Sequence, residues 1–237
     1  SVQSQSFTDW EMIIVDDCSV DGSVEIVNRY MLLDSRIKIF TSELNLGAAC
    51  ARNKAIAEAK GRFIAFLDSD DLWLPHKLSV QIDFMLKNRV LFCYSGYTKI
   101  SESGTVLSEV GVPARVDYRR LLKTCVIGCL TAVYDSEALG KIYMPEIRKR
   151  QDFGLWLRIL KSVEFAEGIQ KPLALHRIRA GSISSNKFNA AKYTWRLYYK
   201  VEKLGLMSSI YYFLNYAVRG FLRKNFPVVS KKLGVMD

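Results

Sequence analysis

Short apolar runs alternate with helical patterns through the first third of the chain. The runs Glu11 to Val15 (EMIIV), Ile37 to Phe40 (IKIF) and Phe63 to Leu67 (FIAFL) have the branched and aromatic composition of buried strands. Between them, helical spacing of apolar positions predicts one helix over Val24 to Met31 and a second that ends at Ala59. This order predicts right-handed βαβ units and a mainly parallel sheet.

The next hundred residues mix strand and helix patterns. An amphipathic helix begins near Pro75, and Ser103-Gly104 is a turn between two short strands. The predicted elements are a helix over 75–88, strands at 90–97, 99–100 and 105–110, a helix at 117–124, a strand at 126–134, a helix at 150–160 and a strand at 173–178. The sequence therefore predicts an α/β fold in which helices flank the sheet.

From Ala190 the pattern changes to longer helices. Apolar and aromatic positions over 193–204 predict one helix, and the run over 210–222, bordered by Arg219, Arg223 and Lys224, predicts another. Such a helix suits the interface of a membrane, and it equally suits packing on its own domain with a solvated basic side. We predict a main domain over 1–186 and a basic amphipathic tail over 187–237.

Most of the net charge lies in that tail. The chain carries +10 in total, and residues 187–237 contain ten basic and two acidic side chains, which is +8. A positive amphipathic segment favours peripheral contact with an anionic membrane. No DNA or RNA recognition motif accompanies the charge, so we expect no nucleic-acid partner. The sequence has neither a signal peptide nor an apolar run of about 18 residues that predicts a spanning helix.

The cysteines favour a reducing compartment. Five are present, which is an odd number, and none forms a CxxC pair. Cys125 and Cys129 share a helical spacing, but His76 and His176 are the only histidines available to complete a zinc site. Zinc is therefore poorly supported, and we expect a cytoplasmic protein.

Carboxylates follow two of the predicted strands directly. Asp16 and Asp17 end the first strand, and Asp68, Asp70 and Asp71 end the third. Ligands of open α/β sheets collect at the carboxyl ends of strands. In extended backbone Asp68 and Asp70 point to the same side, where their oxygens suit one hard cation. A solvated acidic turn is the alternative interpretation.

A further carboxylate opens the helix predicted over 150–160. Asp152 lies in its first turn, where the helix dipole favours a negative charge. An ordinary capping aspartate explains this position equally simply. Its spacing alone therefore does not separate a chemical role from a structural one.

Four motifs, in this order, resemble those of the family 2 glycosyltransferases with the GT-A fold. Asp16-Asp17-Cys18-Ser19 with Asp21-Gly22-Ser23 resembles DDxSxDGS; Asn45, Gly47, Ala49, Ala51, Arg52 and Asn53 resemble NxGxAxARN; Asp68-Ser69-Asp70 resembles the DxD motif; and Gln151-Asp152 before Leu155-Trp156-Leu157-Arg158 resembles the segment with the catalytic base. The loop from His176 to Ser184 resembles the later YRxHxxSxS region, although Arg179 stands where His is common. The resemblance runs to about Asn186.

This resemblance implies an inverting, metal-dependent transfer of a hexose or N-acetylhexosamine. The donor implied is a nucleotide-sugar, most often a UDP-sugar, and the acceptor is a glycan or a lipid-diphosphate-linked sugar in bacterial surface-polysaccharide synthesis. Such enzymes work at the inner face of the cell membrane, which agrees with the basic tail. A nucleotidyltransferase-like enzyme and a catalytically inactive, membrane-associated GT-A scaffold are the alternatives.

The resemblance also implies residue roles. Asp152 is the expected catalytic base, and Asp70 with Asp68 is expected to hold Mn²⁺ or Mg²⁺. The expected donor-binding residues are Asp16, Asp17, Ser19, Arg52, Asn53, Asp68, Arg177 and Arg179. Members of the family begin with a strand and a nucleoside-binding loop, and we expect about 25 residues of this kind to be absent from the given sequence, judged by ordinary element lengths.

Overall fold

The computed structural model describes residues 1–179 and 187–225. The strands are β1 (Met12–Asp16), β2 (Ile37–Thr41), β3 (Phe63–Ala65), β4 (Leu72–Trp73), β5 (Phe92–Ile100), β6 (Val106–Val110), β7 (Arg115–Val116), β8 (Val133–Asp135) and β9 (Ala166–Arg177). The helices are α1 (Ser23–Leu33), α2 (Ala48–Glu58), α3 (Lys77–Asn88), α4 (Tyr118–Lys123), α5 (Ser136–Leu139), α6 (Gln151–Ile159), α7 (Lys187–Arg196) and α8 (Leu206–Asn225). A 3₁₀ turn covers Cys129–Thr131, and a π-helical stretch covers Leu197–Val201.

The strands form two sheets. β1 and β2 pair in parallel, with Met12 opposite Ile37. The larger sheet has the order β3-β8-β5-β9-β4, with β6 on β5 and β7 on β9. The α/β class is confirmed, but the expectation of mainly parallel pairing does not hold, because five described strand pairs are antiparallel and two are parallel. Apolar periodicity marks a strand as buried without specifying its neighbour.

A wide gap separates the two sheets. β1 and β3 both line a cavity of about 2540 Å³. Among the described residues β1 has β2 as its strand partner and β3 has β8, so each of these two cavity-lining strands has one edge without a strand partner. The expected convergence of the acidic strand ends therefore occurs across open space rather than between adjacent paired strands.

Helix α6 is fixed firmly in the main core. Its Trp156 is fully buried and lies with its ring centroid 5.7 Å from that of Phe66 and 5.4 Å from that of Phe92. A Cβ atom at Gly154 would overlap the ring of Pro145, so glycine permits the close approach of this helix to the preceding segment. The first turn of α6 is thereby held rigidly beside the cavity.

The strand predicted over 126–134 is mostly wrong. Only Val133–Asp135 is a strand, and the preceding residues form a loop and the 3₁₀ turn. The Thr131 hydroxyl donates to the carbonyl oxygen of Gly128 at 2.8 Å, and the Thr131 amide donates to the same oxygen at 3.0 Å. These local bonds satisfy backbone groups that a strand would pair with a neighbour.

One lysine is completely buried beneath the sheet. The Nζ of Lys77 lies 4.1 Å from the ring centroid of Trp73 and has no hydrogen-bond partner among the described residues. Burial lowers the pKa of this amine from its ordinary 10.5 to about 7. In the unfolded chain this amine keeps its ordinary pKa and binds the proton more firmly than in the folded protein. The free-energy cost of burying Lys77 therefore decreases as the pH rises from 7 towards 10.5.

Candidate active site

Four acidic side chains from three separate segments line the cavity. Asp17 follows β1, Asp68 and Asp70 follow β3, and Asp152 lies in the first turn of α6. The sequence separation between these residues shows that the fold, not local spacing, brings them to one space. Such a concave site with convergent polar groups is the form that small-molecule sites usually take.

Arg52 links the α2 helix to the turn after β3. Its guanidinium forms a close ion pair with the Asp68 carboxylate, and both side chains are partly buried. The turn itself is closed by a hydrogen bond from the Asp71 amide to the Asp68 carbonyl oxygen at 3.0 Å. Asp68 is therefore held in place by its main chain and by a paired cation.

Arg52 is close to two carboxylates. Burial acts to lower the pKa of its guanidinium, but the nearby Cys129, Asp68 and Asp152 outweigh burial and raise it. Burial raises the pKa of the Cys129 thiol. Arg52, Asp68 and Asp152 all line the same cavity, so one cation is shared by the acidic turn and the first turn of α6.

Arg177 braces the turn that carries Asp70. Its Nε donates to the Asp70 carbonyl oxygen at 2.9 Å, and its Nη1 donates to the Glu102 carbonyl oxygen at 2.8 Å. The sequence-based prediction assigned this guanidinium to donor phosphate, whereas here these donors bind main-chain oxygens. The exposed Arg179 is closer to that role, because its Nε lies 3.5 Å from the Asp70 carboxylate and half of its side chain is accessible.

Asp71 has a structural role, although it follows the same strand as Asp68 and Asp70. It is buried, and its Oδ1 accepts a hydrogen bond from the Arg177 amide at 2.8 Å. Burial raises the pKa of this carboxyl group, and the Arg177 amide opposes that shift only partly. Asp71 therefore joins the acidic turn to the end of β9.

The first acidic motif shapes a loop. The Asp17 carboxylate accepts hydrogen bonds from the amides of Leu46 and Gly47, both at 2.8 Å. Asp16 accepts a hydrogen bond from the Ser19 amide at 3.0 Å, and neither Asp16 nor Ser19 lines the cavity. Of the donor-binding residues predicted in this motif, Asp17 alone reaches the cavity wall.

Asn53 also has a structural partner. Its side-chain amide donates to the Met144 carbonyl oxygen at 3.0 Å and accepts from the Met144 amide at 2.7 Å. This pair of bonds fixes α2 to the segment before α6, and Asn53 does not line the cavity. In this structure its side-chain amide is occupied by Met144, and its contact with a donor stays a prediction.

Asp152 is half-buried and lines the cavity beside Gln151. The buried residues that follow it in α6, from Phe153 to Leu157, anchor the helix, so the carboxylate projects from a rigid element. The Oε1 of Gln151 is buried and has no hydrogen-bond partner in the described part of the chain. The remaining loop predicted for the site, from Gly181 to Ser184, lies outside the described residues.

The acidic turn suits a metal ion only together with a substrate. Among the described residues no cluster of three or more His, Cys, Asp or Glu side chains has the geometry of a metal site. Asp68 and Asp70 offer two carboxylates, and Mg²⁺ is commonly held by one or two carboxylates with substrate phosphates completing the shell. The residues present fit that arrangement.

The sequence of residues 1–132 matches the model of glycosyl transferase family 2. The chain belongs to this family. It is therefore a glycosyltransferase, as the motifs predicted, and the nucleotidyltransferase alternative loses support.

Bacterial relatives in the family match almost the whole chain. TuaG of Bacillus subtilis (strain 168), named as a proposed glycosyltransferase of teichuronic acid biosynthesis, is 46% identical over 218 residues, covering 92% of this chain and 86% of TuaG. WfgD of Escherichia coli is 41% identical over 236 residues, covering 98% of this chain and 90% of WfgD. The name of WfgD describes a UDP-Glc:α-D-GlcNAc-diphosphoundecaprenol β-1,3-glucosyltransferase.

Solved structures of more distant proteins share the fold. TarS of S. aureus (residues 1–349), determined with UDP, superimposes with a TM-score of 0.69 at 21% identity, covering 94% of this chain and 67% of that structure. A mannosyltransferase from Pyrobaculum calidifontis, determined with GDP-Man and Mn²⁺, superimposes with a TM-score of 0.62 at 15% identity, covering 98% of this chain and 72% of that structure. The GT-A fold predicted from the motifs is confirmed.

Proposed function

We propose that this glycosyltransferase moves a hexose or N-acetylhexosamine from a UDP-sugar to a lipid-linked glycan in bacterial surface-polysaccharide synthesis, with inversion at the anomeric carbon. One observation carries the proposal: Asp68, Asp70 and Asp152 line a single cavity together with Arg52, which is paired with Asp68. The UDP-sugar and lipid-linked acceptor in the name of WfgD support the choice of substrates.

The donor binds on the side of the acidic turn. Asp70 and Asp68 would hold Mn²⁺ or Mg²⁺, and Arg179 contacts the phosphate oxygens of the donor. When bound, the metal ion would supply positive charge that stabilises the departing nucleoside diphosphate. Asp17 borders the same cavity and contacts the nucleoside. Arg177 acts indirectly, because its bonds to main-chain carbonyls keep Asp70 in position.

The transfer is a single displacement. Asp152 accepts the proton of an acceptor hydroxyl, and that oxygen forms a bond with the anomeric carbon as the bond to the diphosphate oxygen breaks. Arg52 stabilises the negative charge that develops on the leaving group, since it is a fixed cation in a partly buried site. One base on the face opposite the leaving group is sufficient for this geometry, which inverts the anomeric centre.

Nucleotide-sugar binding tests this function. With Mn²⁺ and a UDP-sugar at about 100 times its dissociation constant, binding stabilises the native state by about 2.7 kcal/mol. For a chain of this size the melting temperature is then expected to rise by about 5–10 °C. A panel of UDP-, dTDP- and GDP-sugars measured by thermal unfolding identifies the donor. If no member of the panel raises the melting temperature, the proposed donor site is wrong.

Helix α8 supports contact with a membrane surface. Its buried face carries Ser209, Phe213 and Tyr216, which point to the main domain. The opposite face also carries apolar side chains, but these are exposed: Met207, Ile210, Tyr211, Leu214, Val218 and Phe221. Their spacing forms one stripe along the helix. No helix in the described ranges is long and apolar enough to cross a bilayer.

Basic residues make an anionic lipid surface the best partner for this stripe. The Nζ of Lys123 lies 5.9 Å from the ring centroid of Tyr211, and Lys200 and Lys203 are exposed just before α8. An apolar stripe bordered by cations suits an interfacial helix on anionic lipid. This position, at the inner face of the cell membrane, brings the active site to a lipid-linked acceptor.

Flotation with vesicles tests the membrane contact. The substitutions Met207→Ser, Leu214→Ser and Val218→Ser together are expected to reduce binding to phosphatidylglycerol vesicles by about tenfold or more, because less apolar area enters the lipid. The control is Leu32→Ser with Leu33→Ser, since these side chains on α1 are also highly exposed. If the triple variant binds the vesicles as tightly as wild type does, the proposal is wrong. It is also wrong if wild type is a dimer in solution that the triple substitution dissociates and the control substitution does not.

A further inference from the structure

Basic side chains near Asp152 in the sequence also line the cavity. Arg148, Lys149 and Arg150 precede α6 and line the cavity, and Lys192 from α7 lines the same region. None of the ion pairs in the described part of the chain involves Arg148, Arg150 or Lys192. Three cations from two elements thus border this space without a paired carboxylate.

Arg150 is held in a defined position. Its φ of 66° is in the left-handed region, which is uncommon for a residue with a side chain. The guanidinium carbon lies 5.3 Å from the ring centroid of Tyr216, and that ring stacks on Phe153 with centroids 6.0 Å apart. Arg150 is therefore directed by packing between α6 and α8 and is not a freely moving surface cation.

Asp152 is close to cations of both regions. Burial acts to lower the pKa of Arg150, but surrounding groups that include Tyr216, Cys125 and Asp152 outweigh burial and raise it. Asp152 also contributes to the raised pKa of Arg52, together with Asp68. All three side chains line the same cavity, so Asp152 shares this space both with Arg52 and with Arg150.

Cations grouped along one wall of a cavity have an electrostatic cost, because they repel one another until an anion enters. A ligand that brings two or more negative charges next to the acceptor hydroxyl removes this penalty. The donor's diphosphate is already assigned to the acidic turn, so it is not the anion that this wall requires.

We propose that Arg148, Arg150 and Lys192 bind the diphosphate of the acceptor, in a subsite separate from that of the donor. This inference rests on the proposed function. It places the acceptor sugar between the subsite and Arg52, with its hydroxyl at Asp152. The subsite lies next to Tyr216 of α8, so the lipid of the acceptor leaves the cavity towards the helix that carries the exposed apolar stripe.

Calorimetric titration with octyl diphosphate, below its aggregation concentration, tests the subsite without catalysis. Wild-type protein is expected to bind this probe both alone and after saturation with UDP and Mn²⁺. The double variant Arg148→Gln, Lys192→Gln is expected to bind at least tenfold more weakly, and Arg150→Gln provides an independent variant on the same wall. Lys87→Gln, an exposed position on α3 outside the cavity, is the matched control.

The outcomes separate the subsite from the donor site. Binding that both subsite variants leave unchanged overturns the proposal, and so does full displacement of octyl diphosphate by UDP. Suppose that wild type binds octyl diphosphate, that both subsite variants bind it more weakly, and that no binding of UDP is detected. The proposed donor is then wrong, and the subsite proposal stands. In a transfer assay the double variant is expected to raise KM at least tenfold for a diphosphate-linked acceptor and to leave KM unchanged for the neutral octyl glycoside of the same sugar.

Discussion

Replacing Asp152 by Asn is expected to lower the turnover of sugar transfer by about 10²- to 10⁴-fold, the usual contribution of a positioned general base. The amide has nearly the same shape as the carboxylate but cannot accept the hydroxyl proton. Binding of UDP with Mn²⁺ is expected to stay within about twofold of wild type, since Asp152 lies beside Arg52 and not in the acidic turn. Initial rates of transfer and the affinity for UDP provide the two readouts.

The matched control for this substitution is Asp83→Asn. Asp83 is an exposed carboxylate on α3 that lies outside the cavity, and its replacement makes the same change of charge. Loss of turnover in the control, or near-normal turnover in Asp152→Asn, contradicts the assignment of the base. Helix α6 is expected to remain folded in the variant, because the buried residues from Phe153 to Ile159 fix it.

Replacing Asp70 by Asn is expected to weaken Mn²⁺-dependent binding of UDP by about tenfold to hundredfold. A contact between opposite charges is worth at least as much as a charge-assisted hydrogen bond, about 1.5–3 kcal/mol. The variant retains the main-chain carbonyl that accepts a hydrogen bond from Arg177, so the turn is expected to keep its shape. UDP titrations with and without Mn²⁺ measure this effect.

Chelation of the metal provides the control for Asp70. Wild-type protein in EDTA is expected to bind UDP as weakly as Asp70→Asn does in Mn²⁺. If the variant binds Mn²⁺ and UDP as tightly as wild type, the metal is not held at the acidic turn. If EDTA has no effect on wild-type binding or on transfer, the reaction does not use the metal at all.

The sequence motifs located the acids of the site because each acid follows a strand or opens a helix. Asp68, Asp70 and Asp152 are predictable in this way, since strand ends and first helical turns are visible as local patterns. The family match then confirmed the enzyme class and the fold. The roles of these acids remain predictions until the substitutions above are measured.

Long-range pairing was not predictable from the same patterns. Arg177 and Asp71 are more than 100 residues apart in sequence, and the hydrogen bond between them depends on the position of β9 beside the acidic turn. The antiparallel pairing of β3 with β8 was missed for the same reason, because apolar periodicity specifies burial but not the neighbouring strand.

The sequence pattern also did not predict which apolar side chains of α8 are exposed. The pattern over 210–222 fitted a packed helix and a membrane-surface helix equally well. In the structure α8 has one apolar face on the main domain, as the packed-helix interpretation predicts, and a second apolar face that is exposed, for which the membrane-surface interpretation stays a prediction. A helix that is apolar on two faces needs a tertiary structure to show which face is covered.

The acids of the cavity are expected to divide the work, with Asp68 and Asp70 acting in donor binding and Asp152 in proton transfer. Titration of UDP in Mn²⁺ into wild type, Asp70→Asn and Asp152→Asn, followed by a transfer assay on the same three samples, tests this division most directly. We expect weak binding only for Asp70→Asn, and for Asp152→Asn wild-type binding with turnover reduced by about 10²-fold or more. Equal loss of UDP binding in both variants, or wild-type turnover in Asp152→Asn, would contradict this division.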